Sequence, residues 1–209
     1  SDVATADGIG VEYTAAAGST TISNTEISNH TDAGVDAAGN SVNITVTDNT
    51  VIENNDAEGL NATVTDGDTV IVEDSEVANN NVTGVVADGN VTLTVNSTTV
   101  TGHDTGLDVE NATADSSIIR STVDANDVGL AVNASDVDPE ITGNTFTNGD
   151  TDISTTDDDN AKLNASLKYF GTDCGPEYDE AAGVDSDVVY DPFHSEDQTD
   201  STVSETENT

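Results

Sequence analysis

Over residues 1–154 the apolar residues stand at alternate positions in short clusters, as in "VNITV" and "VTLTV", separated by runs rich in Gly, Asn, Asp and Ser. A period of two predicts half-buried β-strands, and the polar runs predict tight turns between them. Helical periodicity is absent from this stretch. The clusters recur in register. Gly10-Val11, Gly34-Val35, Gly59-Leu60, Gly84-Val85, Gly106-Leu107 and Gly129-Leu130 follow one another at spacings of 24, 25, 25, 22 and 23 residues. A second column, Ile27, Ile52, Val77, Val100, Val123 and Phe146, keeps the same spacing, and a third reads Ile22, Thr47, Val72, Val95, Ile118 and Ile141. Thr47 is the polar member of that third column, and a small bulge is expected to bring Val46 into its place.

A unit of this length with three short strands cannot bury its apolar face alone, so successive units must stack, each strand pairing with its counterpart one turn along. The expected architecture is all-β, a parallel β-solenoid of six to seven coils, roughly 30 Å long at the usual strand spacing. It occupies residues 1–154, followed by a closing segment over 155–194 and an acidic, polar tail over 195–209.

The segments "SNTEISNHTDAGV", "DNTVIENNDAEGL", "EDSEVANNNVTGV" and "GNTFTNGDTDI" resemble the recurrent coil of the right-handed parallel β-helix repeat proteins of the pectate-lyase-like superfamily. "LKYFGTDCGPEYDE" and "VVYDPFHS" are similar to the segment that closes many such helices, through Tyr169-Phe170-Gly171, Gly175-Pro176 and Tyr190-Asp191-Pro192-Phe193. The resemblance implies a right-handed coil and specifies fold far more than activity.

Charge narrows the partners. The chain has 42 acidic residues against 3 Lys and Arg, a formal net charge of -39. Self-repulsion on that scale needs screening, and at about 1 M salt the Debye length falls to roughly 3 Å. The composition resembles that of a protein adapted to brine, and a halophilic archaeal source is expected. With only Arg120, Lys162 and Lys168, no basic patch for nucleic acid can be assembled. No apolar run is long enough to span a membrane. The chain begins at Ser1, so a removed leader or an excerpt of a longer protein is expected.

Few residues invite chemistry. Three positions after each inward aliphatic or aromatic stand His30, Asn55, Asn80, His103, Asn126 and Gly149, a column read as turn residues tolerant of left-handed backbone. One position on, Thr31, Asp56, Asn81, Asp104, Asp127 and Asp150 place three carboxylates on consecutive coils. Two readings stay open: caps of the turn, or joint oxygen ligands for calcium or another hard cation. Arg120 invites comparison with lyases of the superfamily, where the resemblance implies an arginine base; the plainer reading is an exposed charge-pair residue. Carboxylate pairs suited to glycoside hydrolysis will arise by accident among 42 acids.

Tyr13 and Phe146 are the only aromatics on the solenoid, so a sugar platform is not expected there. Cys174 reads as a small buried residue of the closing segment, with intermolecular pairing as the alternative, and His194 has no visible partner. Nine Asn-x-Ser/Thr sequons, at Asn29, Asn43, Asn61, Asn81, Asn90, Asn96, Asn111, Asn133 and Asn164, suit glycosylation of a secreted chain. Catalytic and metal-binding residues stay unassigned, and no cofactor is expected. The resulting expectation is a non-catalytic extracellular structural or adhesion protein, at a cell surface, in a filament or on a virion. Its partners would be further copies or other surface proteins, or glycans. The alternative is a polysaccharide lyase or glycoside hydrolase on the same fold.

Overall fold

The computed structural model describes residues 8–64, 68–111, 113, 115–133 and 139–155, together with short strands at 2–4, 163–164, 188–189, 193–194 and 205–206. Three parallel sheets form the right-handed β-helix. The first holds β1 (Asp2–Ala4), β4 (Glu26–Ser28), β7 (Val51–Glu53), β10 (Glu76–Ala78), β13 (Thr99–Thr101), β16 (Thr122–Asp124) and β19 (Thr145–Thr147). The second holds β2 (Val11–Ala15), β5 (Val35–Gly39), β8 (Leu60–Val64), β11 (Thr83–Asp88), β14 (Thr105–Glu110), β17 (Val128–Asn133) and β20 (Thr151–Thr155). The third holds β3 (Gly18–Ser23), β6 (Val42–Thr47), β9 (Asp68–Glu73), β12 (Val91–Asn96), β15 (Ser117–Ile119) and β18 (Glu140–Thr142). Each strand therefore pairs with its equivalent one coil away, which is the expected solenoid.

The columns read from the sequence are the observed register. Val11, Val35, Leu60, Val85, Leu107 and Leu130 are successive partners in the second sheet, and Ile153 extends the column by one coil. Ile27, Ile52, Val77, Val100, Val123 and Phe146 do the same in the first. All of these but Val11 are buried, and Val11 and Tyr13 pack on the core from the first coil. Each buried Ile, Leu or Phe adds about 1.5–3 kcal/mol relative to exposure, so the repeat is also the core.

The third column differs at one member. Val46, not Thr47, pairs with Ile22 and Val72 and is fully buried. No bulge interrupts β6. The extra residue is taken up at the next corner, where Asp48 and Asn49 both have left-handed φ (56° and 59°), while neighbouring coils turn on one such residue, Asn24, Asp74, Ser97 or Arg120.

The repeated glycines are not turn residues. None of Gly34, Gly59, Gly84, Gly106 or Gly129 has positive φ. Each lies where a side chain would strike the next coil: a Cβ on Gly59 would stand 2.6 Å from the Gly84 carbonyl oxygen and 2.7 Å from Asn80 Nδ2. Close approach of backbones, not conformational freedom, selects glycine there.

Beyond Thr155 the described pieces are a parallel pair, β21 (Leu163–Asn164) with β22 (Val188–Val189), and an antiparallel pair, β23 (Phe193–His194) with β24 (Glu205–Thr206). The expected burial of Cys174, the closing motif at Tyr169-Phe170-Gly171 and Gly175-Pro176, and the other details of the closing segment and tail lie outside the described residues.

Candidate functional site

The corner between the first and second sheets concentrates the chain's polar chemistry. On five successive coils it opens with a left-handed residue, Asn29, Asn54, Asn79, Gly102 or Ala125 (φ 60°, 55°, 51°, 78° and 53°). That reversal folds the following residue inward. His30, Asn55, Asn80, His103 and Asn126 are accordingly buried, at 5% exposure or less. The left-handed positions are thus one residue earlier than the sequence reading placed them, and the histidine column is interior.

These side chains form one continuous ladder. The His30 backbone N–H donates to Asn55 Oδ1 (3.1 Å). The Asn55 backbone N–H and its Nδ2 both donate to Asn80 Oδ1 (3.1 and 2.8 Å). Asn80 Nδ2 donates to the Ile52 carbonyl (3.1 Å) and to His103 Nε2 (3.2 Å). The His103 backbone N–H and Nδ1 lie 3.0 and 2.9 Å from Asn126 Oδ1. Asn126 in turn donates through its backbone N–H and Nδ2 to Asn148 Oδ1 (3.2 and 2.9 Å), and Asn148 donates through the same two groups to Asp152 Oδ1 (2.9 Å each). Asn148 therefore takes the place expected for Gly149, because the final corner is reached one residue sooner.

The buried side-chain amides of Asn55, Asn80 and Asn126 are all hydrogen-bonded, as a core of this kind requires. Burial pushes the His103 imidazole below its ordinary value, against the Asn126 bond and nearby Asp104, which act the other way. Burial likewise pushes the Asp152 carboxyl up, against its bonds from Asn148. Among the described residues Asp152 Oδ2 is buried with no hydrogen-bond partner.

The outer lip of this corner is a groove of about 540 Å³ lined by Asn54, Asp56, Asn79, Asn81, Asp104 and Asp127, with the ladder as its floor. Asp104, Asp127 and Asp150 are exposed; the Asp150 N–H donates to the Asp127 carbonyl (2.9 Å), while the Asp127 N–H donates to the His103 carbonyl (3.0 Å). Among the described residues no three His, Cys, Asp or Glu side chains are arranged as a metal-holding group.

A second polar column lines the corner between the third and first sheets. Thr50, Ser75, Thr98, Ser121 and Asn144 are buried there, with Thr98 N–H donating to Ser121 Oγ (3.2 Å) and Ser121 N–H to Asn144 Oδ1 (2.8 Å). Arg120 stands at this corner, exposed and left-handed (φ 50°). Its Nε and Nη2 both donate to the neutral Asn96 Oδ1 (3.3 and 2.9 Å), and among the described residues it meets no carboxylate.

The acids that do come together were not singled out in the sequence. Asp108 and Glu110 face outward on β14, and Asp88 on β11 pairs in register with Glu110. Partial burial, then Glu110 and Asp88, push the Asp108 carboxyl up. Outward parity at alternate positions of β14 was the available signal, obscured by the abundance of acids elsewhere. Of the sequons, Asn29, Asn43, Asn81, Asn90 and Asn111 are exposed. Asn61 donates to Asp36 Oδ1 (3.0 Å), and Asn96 holds Arg120. The side chains of Asn133, Asn164 and His194 lie outside the described residues.

No helix is long and apolar enough to cross a membrane among the described residues. No curated protein matches the chain. The crystal structure of pectate lyase Pel9A is similar, with a TM-score of 0.51 and 14% identity, over 86% of this chain and 52% of that one. That likeness shows the fold alone, and the chain spans about half the length of the lyase. A family model described as "Periplasmic copper-binding protein (NosD)" matches residues 3–172. With most of its length matched, the chain belongs to the NosD family.

Proposed function

We propose that this chain is a non-catalytic structural or adhesion module of a halophilic archaeon, working outside the cytoplasm at a cell surface, in a filament or on a virion. The observation that carries the reading is the use to which the reactive side chains are put. His103 engages both ring nitrogens inside the ladder, and Arg120 is spent on Asn96. A nucleophile, base or oxyanion donor needs such groups to face a substrate. The periplasmic description of the family supports a place in the envelope or outside it, and a net charge of -39 suits a surface bathed in brine.

The family's description also names copper. Copper is held by thiolate, thioether or imidazole ligands. This chain has no methionine, one cysteine and three histidines. His30 and His103 are 2% and 5% exposed, and the His103 ring is committed to asparagines. The described residues do not fit a copper site, so no copper chemistry is assigned to them.

Among the described residues β2 and β3 end their sheets, and such an edge suits pairing with a neighbouring chain or with further coils upstream. Electron microscopy of the full chain in molar potassium chloride is expected to show regular oligomers. Strictly monomeric particles would contradict the assembly reading, and turnover of acidic or neutral polysaccharides would replace it with the enzymatic one.

A further inference from the structure

We propose that His103 makes the buried ladder a pH-sensitive coupling between the two halves of the solenoid, which disconnects when the imidazole takes up a second proton. The geometry sets the tautomer. Asn126 Oδ1 accepts the His103 backbone N–H, so the oxygen end of that amide faces the histidine, and Nδ1 must carry the hydrogen. Asn126 Nδ2 is occupied on the other side, by the Val100 carbonyl and Asn148 Oδ1. Asn80 presents its Nδ2 to the ring, so Nε2 must be the lone-pair acceptor.

A proton added at Nε2 turns that contact into donor against donor. Rotating the Asn80 amide does not relieve it. The Asn55 backbone N–H is aimed at Asn80 Oδ1 (3.1 Å), and a backbone donor cannot be reversed. The exchanged amide would also withdraw its hydrogen from the Ile52 carbonyl. The ladder is thus polarised from His30 to Asp152, and the imidazolium breaks it between the coils of Asn80 and His103.

The surroundings favour the neutral ring. On the preceding corner it meets neutral Asn80, on the following corner neutral Asn126, and from β11 Gly84, where a Cβ would stand 3.0 Å from the ring Cε1. The charged groups nearby are Asp104, next in the chain, with Asp56 and Asp127 on the lip of the groove. The Asp104 field favours the imidazolium, but burial opposes it more strongly. Neutral His103 is therefore the folded form, and the linkage has one sign. Stability is complete above the ordinary histidine value and is lost as pH falls from there towards the lowered folded one.

The test uses the full chain at constant molar salt, as wild type and as His103→Asn, which restores the residue found at Asn55, Asn80 and Asn126. Hydrogen exchange read by NMR, corrected for intrinsic pH dependence, is expected to show the His103 and Asn126 amides losing up to about ten-fold of their protection per pH unit below the ordinary histidine value. The same amides of His103→Asn should keep theirs. Ring nitrogen shifts of labelled wild type should report the Nδ1–H tautomer at neutral pH. Equal pH dependence in the two proteins, or an Nε2–H tautomer in the wild type, would overturn the proposal.

Discussion

Replacing Asn80 by alanine removes one rung of the ladder and leaves four buried groups without their partner. Those groups are the Asn55 backbone N–H, the Asn55 Nδ2, the Ile52 carbonyl and His103 Nε2. An unsatisfied buried polar group costs about 1–3 kcal/mol. The groove reaches the ladder floor, so water will enter the space vacated by the side chain and offset part of the loss. Taking the low end for each group gives a destabilisation of about 4 kcal/mol. The control is its neighbour Asn81, exposed on the same corner, where alanine should change stability by no more than about 0.5 kcal/mol. Both substitutions delete the same atoms from adjacent residues, so composition and charge are held constant. Urea unfolding followed by far-UV circular dichroism at fixed molar salt measures the pair. If Asn80→Ala and Asn81→Ala fall within about 1 kcal/mol of each other, the ladder does not hold the coils together as described.

Three further substitutions probe other parts of the stack. Gly59→Ala pushes a Cβ to 2.6 Å from both the Gly84 oxygen and Val77 Cγ1, forcing two coils apart. It should cost about 1–3 kcal/mol in thermal melting, whereas a neutral result would show slack in the stack. Ala125→Gly relieves a left-handed alanine (φ 53°) and should stabilise by about 1 kcal/mol in the same assay, with a loss arguing against the strain. Asp152→Asn keeps an oxygen for Asn148 and removes the ionisable group. Because burial raises the folded carboxyl above its unfolded value, the wild type is fully stable below the unfolded value and loses stability as pH rises through the folded one. The variant should therefore melt higher than wild type at pH 7, with the gap closing towards pH 4, and a constant gap would refute the linkage.

The aliphatic columns were legible because stacking imposes one requirement, an inward apolar residue at each coil, on positions a fixed distance apart. Column and register consequently coincide from Val11 to Leu130 and from Ile27 to Phe146. The polar corners were not legible in the same way. In "VIENNDAEGL" two adjacent asparagines do opposite work: Asn54 turns the chain in left-handed backbone, while Asn55 is buried and bridges coils. Asparagine suits both roles, so residue type cannot separate them, and the histidine column was assigned to turns. Thr47 failed for a related reason. The spacing counts the extra residue of that coil but does not say whether a strand or a corner absorbs it. The repeated glycine was located by its spacing, but its cause was not legible, since contact with a neighbouring coil leaves no mark in the local sequence.

The most direct test of the proposed brine-adapted surface module is its folding as a function of salt. A formal charge of -39 on 209 residues leaves the coils repelling one another wherever screening is weak. Far-UV circular dichroism of the full chain, titrated with potassium chloride, should show cooperative loss of β-structure as the salt falls below about 0.5 M, where the Debye length exceeds roughly 4 Å. The melting temperature should rise steadily with salt above that point. A chain whose fold and melting temperature are unchanged between about 0.1 M and molar salt would contradict the account.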